Sequence, residues 1–171
     1  IATSQIKGGI MYDLSESISV FGNYGIVEKP PILDNVIYYD GTVSSKPMNE
    51  KFKSMEFGLN YNSPTFALKV NYYDTQWKDR NLTKSVTTGQ GSSGDTDVIF
   101  LTGVDQSHTG IEIEGSHKIT NNLRVDFAAS FGTWKFADDA NGIYTDYSES
   151  STTQTQYSYA LEDLWVGDMP Q

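Results

Sequence analysis

The chain has 171 residues, room for one domain, with a formal net charge of −10 and a pI of about 4.5. That balance argues against a nucleic-acid binder, which needs a basic footprint to neutralise phosphates. Cysteine is absent, so neither a disulfide framework nor a thiolate metal site can form, and no apolar run reaches the roughly 18 residues of a membrane helix. Aromatics make up 13% of the residues, yet the hydrophobic fraction is only 37% and the mean hydropathy is −0.44. Many aromatics with few aliphatics suit a sheet that is apolar on one face, including a membrane barrel whose wet lumen dilutes the average. The chain opens at Ile1-Ala2-Thr3 without Met, as a mature protein or an excised piece would.

Six segments alternate with a period of two, the signature of strands. The first, Gln5–Leu14, sets Ile6, Gly8, Ile10, Tyr12 and Leu14 against Lys7, Gly9, Met11 and Asp13. The second, Ile18–Val27, sets Ile18, Val20, Gly22, Tyr24 and Ile26 against Ser19, Phe21, Asn23 and Gly25. The third and fourth form a pair around Asn62-Ser63-Pro64-Thr65. Met55, Phe57, Leu59 and Tyr61 precede that turn; Phe66, Leu68, Val70 and Tyr72 follow it. The fifth is Thr109–Lys118, with Ile111 and Ile113 against Glu112, Glu114 and Ser116. The sixth is Leu123–Phe136, with Leu123, Val125, Phe127, Ala129 and Phe131 against Arg124, Asp126, Ala128, Ser130 and Gly132. Several run to ten residues or more, longer than the usual five or six and close to the about 9–11 that cross a bilayer. No segment carries a helical stripe.

Short and long connections alternate. Ser15–Ser17, Asn62–Thr65 and Thr120–Asn122 are tight turns, whereas Glu28–Lys53, Lys78–His108 and the stretch from Ala137 onward read as long loops. In an up-and-down sheet this puts all short turns at one end and all long loops at the other, as in outer-membrane barrels. Tyr12, Tyr61 and Phe66 gather near the short turns; Tyr24, Tyr72, Tyr73, Trp77, Phe131 and Trp134 lie toward the long loops, as two interfacial girdles would.

Glu112 and Glu114 could be a glycosidase pair, but they read better as lumen-facing charges beside Arg124 or Lys69. Gly94–Asp97 and Asp138–Gly142 are acidic turns without a full calcium-loop spacing, and His108 and His117 have no partners at metal-ligand spacing. No catalytic residue, metal site or cofactor is expected. Ser148–Thr155 reads as a flexible loop. The expected lumen-facing residues are Glu56, Asn60, Lys69, Asn71, Glu112, Glu114, Arg124 and Asp126; the expected ligand-binding aromatics are Tyr38, Tyr39, Trp77, Tyr144 and Tyr147.

Five motifs in order carry a family resemblance. Phe21-Gly22-Asn23-Tyr24-Gly25 leads to Glu28-Lys29-Pro30-Pro31; Lys53-Ser54-Met55-Glu56-Phe57-Gly58-Leu59-Asn60-Tyr61 follows. Then come Asn71-Tyr72-Tyr73-Asp74-Thr75-Gln76-Trp77-Lys78-Asp79 and Gly110-Ile111-Glu112-Ile113-Glu114-Gly115-Ser116. The last is Leu161–Gln171, LEDLWVGDMPQ, similar to a segment leading into a further barrel strand in receptors of Bacteroidetes-like bacteria. Together they resemble the later portion of the β-barrel of TonB-dependent outer-membrane receptors.

The resemblance implies an all-β fold: an antiparallel up-and-down meander of about six strands, part of a roughly 22-stranded transmembrane β-barrel. Residues 1–171 are expected to form one partial barrel domain, without plug domain or terminal strand. It implies an outer-membrane active-transport receptor and no enzyme: ligand capture at the long loops and TonB-dependent uptake of an iron–siderophore chelate, or of a glycan or other nutrient. The implied partners are outer-membrane lipid, the rest of the barrel, the plug, the TonB energy-coupling protein and a small-molecule ligand such as a siderophore. Two alternatives keep different demands. A soluble antiparallel β-domain binding carbohydrate through aromatic loops needs protein over its apolar face. A complete small barrel needs at least eight strands and closure.

Overall fold

The computed structural model describes residues 2–33, 36–37, 41, 43, 48–88, 95–148 and 151–167. Among these residues eight strands form one antiparallel sheet: β1 (Gln5–Asp13), β2 (Ile18–Lys29), β3 (Glu50–Asn62), β4 (Phe66–Thr88), β5 (Asp95–Thr120), β6 (Leu123–Phe136), β7 (Ala140–Ser148) and β8 (Ser151–Tyr159). Each of the six alternating segments is a strand, and β6 begins and ends where the alternation does.

The connections differ from the sequence expectation. Much of Lys78–His108 is not loop but the continuation of β4 and β5, which run for 23 and 26 residues as one long hairpin. β7 and β8 arise from the stretch after Ala137, and Ser151–Thr155 belongs to β8 rather than to a loop. β7 pairs with β5 at Val98–Thr102, above the region Gln106–Thr120 that pairs with β6. β6 and β7 therefore follow one edge of β5 as an interrupted strand, and β8 folds back on β7. The wall itself has six rows, as expected; the extra strands lie beyond its long-connection end.

The register sorts the faces. Gly22, Phe57, Tyr72, Ile111 and Phe131 are successive cross-strand partners, as are Val20, Leu59, Val70, Ile113 and Ala129 in the next row. Strand alternation then collects Ile6, Ile10, Tyr24, Ile26, Leu68, Val125 and Phe127 on the same face. No α-helix and no second sheet covers it among the described residues. Ile10 is 75% exposed, Phe131 67% and Phe57 55%. The apolar row of β2 runs from Ile18 to Ile26. At about 3.3 Å per residue and a tilt of about 40°, it covers roughly 20–23 Å, close to the apolar band of an outer-membrane barrel.

Glycines let aromatics lie flat on the sheet. Phe21 faces Gly58 across β2 and β3, and a Cβ at Gly58 would fall 2.2 Å from the Phe21 ring and 2.9 Å from the Val70 carbonyl oxygen. One residue along, on the opposite face, Gly22 and Phe57 exchange these roles. This is aromatic cover of a strand glycine, which packs a one-layer sheet without a second layer.

The sheet does not close among the described residues: β1 pairs only with β2. Residues 164–166 lie along the edge of β6 away from β5. The Val166 N–H donates to the Trp134 carbonyl (2.9 Å) and the Phe136 N–H to the Leu164 carbonyl (2.9 Å). Eight strands are present among the described residues, without the closure that a complete small barrel requires.

Candidate functional site: the polar face and its long-connection end

The face opposite the apolar one is built by the alternate residues of the same strands. Register places all eight expected lumen residues there: Glu56 and Asn60 on β3, Lys69 and Asn71 on β4, Glu112 and Glu114 on β5, Arg124 and Asp126 on β6. Lys69 stands opposite Glu114, and Asn71 opposite Glu112. Glu56 accepts from Asn23 Nδ2 (3.3 Å), and Asn60 Nδ2 donates to Ser19 Oγ (3.2 Å). Arg124 does not reach Glu112 or Glu114; it closes on Asp126 of its own strand, with Nη2 at 2.6 Å from Oδ1. Asn71 is buried, and its Oδ1 has no hydrogen-bond partner among the described residues.

The aromatics near the long connections divide between the faces. Tyr24, Tyr72 and Phe131 share the apolar face, whereas Tyr73, Trp77 and Trp134 are on the polar one. Period two separates Tyr72 from Tyr73, so a single girdle cannot contain both. Tyr12, Tyr61 and Phe66 near the short turns stay on the apolar face; Phe66 packs against Tyr61 at 6.1 Å and edge-on against His117 at 5.8 Å.

Trp77 is the centre of a connected cluster. Its Nε1 donates to Glu50 Oε2 (3.0 Å), which also holds Lys29 Nζ at 2.9 Å. Lys29 Nζ lies 4.9 Å and Arg80 Cζ 4.2 Å from the Trp77 ring centroid, within cation–π range, and Phe52 meets the same ring edge-on at 5.6 Å. Arg80 Nη1 donates to Gln106 Oε1 (3.2 Å), and His108 Nε2 lies 3.4 Å from that same oxygen. Glu50 is 2% exposed, a carboxylate kept buried because Trp77 and Lys29 bind it. Trp77 was expected from the sequence. Glu50, Lys29, Arg80, Gln106 and His108 were not, because they come from four strands with register as their only link.

Directly beyond Trp77 the ladder is irregular. Register shifts fall on either side of Arg80; Asp79 on β4 and Gly103 on β5 have φ of 58° and 68°. Asp79 adopts this left-handed conformation without glycine's freedom. Its N–H donates to Asp105 Oδ1 (2.9 Å), and its carboxylate binds Lys51 Nζ at 3.1 Å. Above the bulge Val98 and Phe100 are buried, as is Val104 opposite Arg80 within it, and Tyr144 donates to the buried Asp97. Tyr144 and Tyr157 meet edge-on at 6.4 Å, and Tyr157 and Tyr159 at 6.3 Å. Hydrogen bonding to Asp97 first, then burial and the charges of Asp97, Asp146 and Tyr157, push the Tyr144 hydroxyl up to about 12.

Of the other expected aromatics, Tyr38 and Tyr39 lie outside the described residues; Tyr147 is on β7, with its side chain outside them. Asp139, in one of the acidic turns, accepts the N–H groups of Leu161 (3.0 Å) and Glu162 (3.1 Å), a structural use of its carboxylate.

A one-layer sheet with an uncovered apolar face, an opposed polar face and short turns at one end defines the wall of an outer-membrane β-barrel. The family model for the TonB dependent receptor-like β-barrel matches residues 6–168, and the chain belongs to that family. It is an outer-membrane family of receptors that act in transport, with a plug domain and TonB as partners. No curated protein and no solved structure matches the chain. The soluble alternative required protein over the apolar face; the uncovered face and the family match oppose it.

Proposed function

We propose that residues 1–171 are one part of a receptor barrel of roughly 22 strands that takes up an iron–siderophore chelate through TonB-driven transport. The observation that carries this is the division of one continuous register into an exposed apolar face and a polar face. The apolar face meets lipid. Glu56, Asn60, Lys69, Asn71, Glu112, Glu114, Arg124 and Asp126 face the wet lumen, where water or the plug domain satisfies acceptors such as Asn71 Oδ1. The tight Asn62–Thr65 turn is periplasmic, and the β4–β5 and β7–β8 hairpins project outward with Trp77 at their base and Tyr144 on their flank. Ligand is captured at that end. A glycan or another nutrient is the second ligand class, favoured by the tyrosines of β7 and β8.

The test is uptake by cells carrying the full-length receptor. Labelled ferric chelates and oligosaccharides are supplied with and without TonB. Accumulation of a ferric chelate that vanishes without TonB supports the reading; equal accumulation in both strains defeats it. Oligosaccharide uptake alone would replace iron by the second ligand class.

A further inference from the structure

We propose that Arg80 is an anion-binding residue, taking a carboxylate or other anionic oxygen of the transported ligand at the long-connection end of the polar face. This deepens the receptor reading above and rests on it. The chain has only two arginines. Arg124 is exposed and closed on Asp126. Arg80 is partly buried, and among the described residues it makes one hydrogen bond, to Gln106, and no ion pair.

A guanidinium carries five N–H donors, so most of them lack a protein acceptor among the described residues. The nearby carboxylate is already committed. Glu50 Oε2 is held by Trp77 Nε1 and Lys29 Nζ, and Oε1 lies 3.5 Å from the Asn81 N–H. Lys29 and Arg80 against Glu50 leave one positive charge here, on the wall of a chain whose net charge is −10. Burial lowers the Arg80 pKa, and the charge of Glu50, which raises it, does not cancel that penalty. Something else holds Arg80 in place: the Trp77 ring at 4.2 Å and Gln106 fix the plane of the guanidinium. A fixed, partly desolvated guanidinium with open donors fits planar, bidentate recognition of an oxyanion. Trp77 then acts as the backing of that plane and not as a free stacking surface, because two cations already lie over its ring.

The experiment uses the purified full-length receptor, titrated by calorimetry with ferric citrate and ferric enterobactin as anionic chelates. Ferrichrome is the neutral chelate and maltoheptaose the neutral glycan. The expected result is binding of at least one anionic chelate, weakened about tenfold or more by Arg80→Gln and partly recovered in Arg80→Lys, in line with loss of a charged hydrogen bond. Trp77→Phe, which loosens the guanidinium while keeping its charge, should weaken the same chelate by a smaller factor. Heat-modifiable migration on gels checks that each variant barrel is folded. Selective binding of ferrichrome or maltoheptaose, silence toward both anionic chelates, or wild-type affinity in Arg80→Gln overturns the inference. The TonB dependence of uptake is measured separately, so failure here is distinguishable from failure of the receptor reading.

Discussion

The wall below Trp77 and the hairpins above it are continuous in chain but differ in how they bury apolar surface. In the wall, β2 and β3 pair without interruption from Ile18↔Tyr61 to Lys29↔Glu50, and large apolar residues stay exposed along one face. Above the bulge at Asp79 and Gly103, Val98 and Phe100 are almost wholly buried, as is Val104 opposite Arg80 within it. The proposed receptor reading accounts for the difference by the solvent on each side. A wall that separates lipid from water divides its faces by polarity and needs no second layer. Hairpins with water around them must bury their apolar side chains against one another, and strict alternation no longer serves.

The strongest way to break this contrast is to exchange charge between faces. Ile113→Arg, in mid-band on the apolar face, should cost about 2–4 kcal/mol, whereas Ser130→Lys on the polar face should cost less than about 1 kcal/mol. Equilibrium unfolding of the full-length receptor in lipid vesicles measures both. Equal costs would mean that the apolar face does not meet lipid.

Gly58→Leu tests the one-layer packing. The new side chain meets the Phe21 ring and the Val70 carbonyl, so a loss of about 1–3 kcal/mol is expected, with the strands retained. Combining it with Phe21→Ala should recover part of that loss; no recovery would assign the damage to the backbone contact.

Glu50→Ala sharpens the boundary. It removes the acceptor of Trp77 Nε1 and the partner of Lys29, a loss of about 1–2 kcal/mol confined to the rim. Hydrogen exchange should quicken at residues 77–82 and 104–106 and stay unchanged around Ile113. Uniform quickening along β4 would erase the boundary.

The smallest effect concerns pH and belongs to the hairpins alone. The Tyr144 pKa is raised in the folded state, so its contribution is complete below about pH 10 and fades as pH climbs toward 12. Hydrogen exchange over β7 and β8 should quicken across that window in the wild type and show no such step in Tyr144→Phe.

Much of this was legible in residue order. Alternation from Leu123 to Phe136 located β6 to its ends, and the turns at Asn62–Thr65 and Thr120–Asn122 located the short connections. That the eight expected lumen residues share one face followed from parity alone, because a strand turns every second side chain the same way. The upper halves of β4 and β5 are not legible as strands, because the bulge resets parity and their burial does not alternate.

What the sequence determined by itself, then, is the local matter: which segments are strands, which end carries the short turns and which residues share a face. Those depend on neighbours one or two positions away. Only the tertiary structure decided that Lys29, Glu50, Trp77, Arg80, Gln106 and His108 meet, and that Trp77 supports Arg80 instead of standing open. Those contacts join residues up to 48 positions apart, Lys29 and Trp77, through inter-strand register, which no single strand's pattern contains.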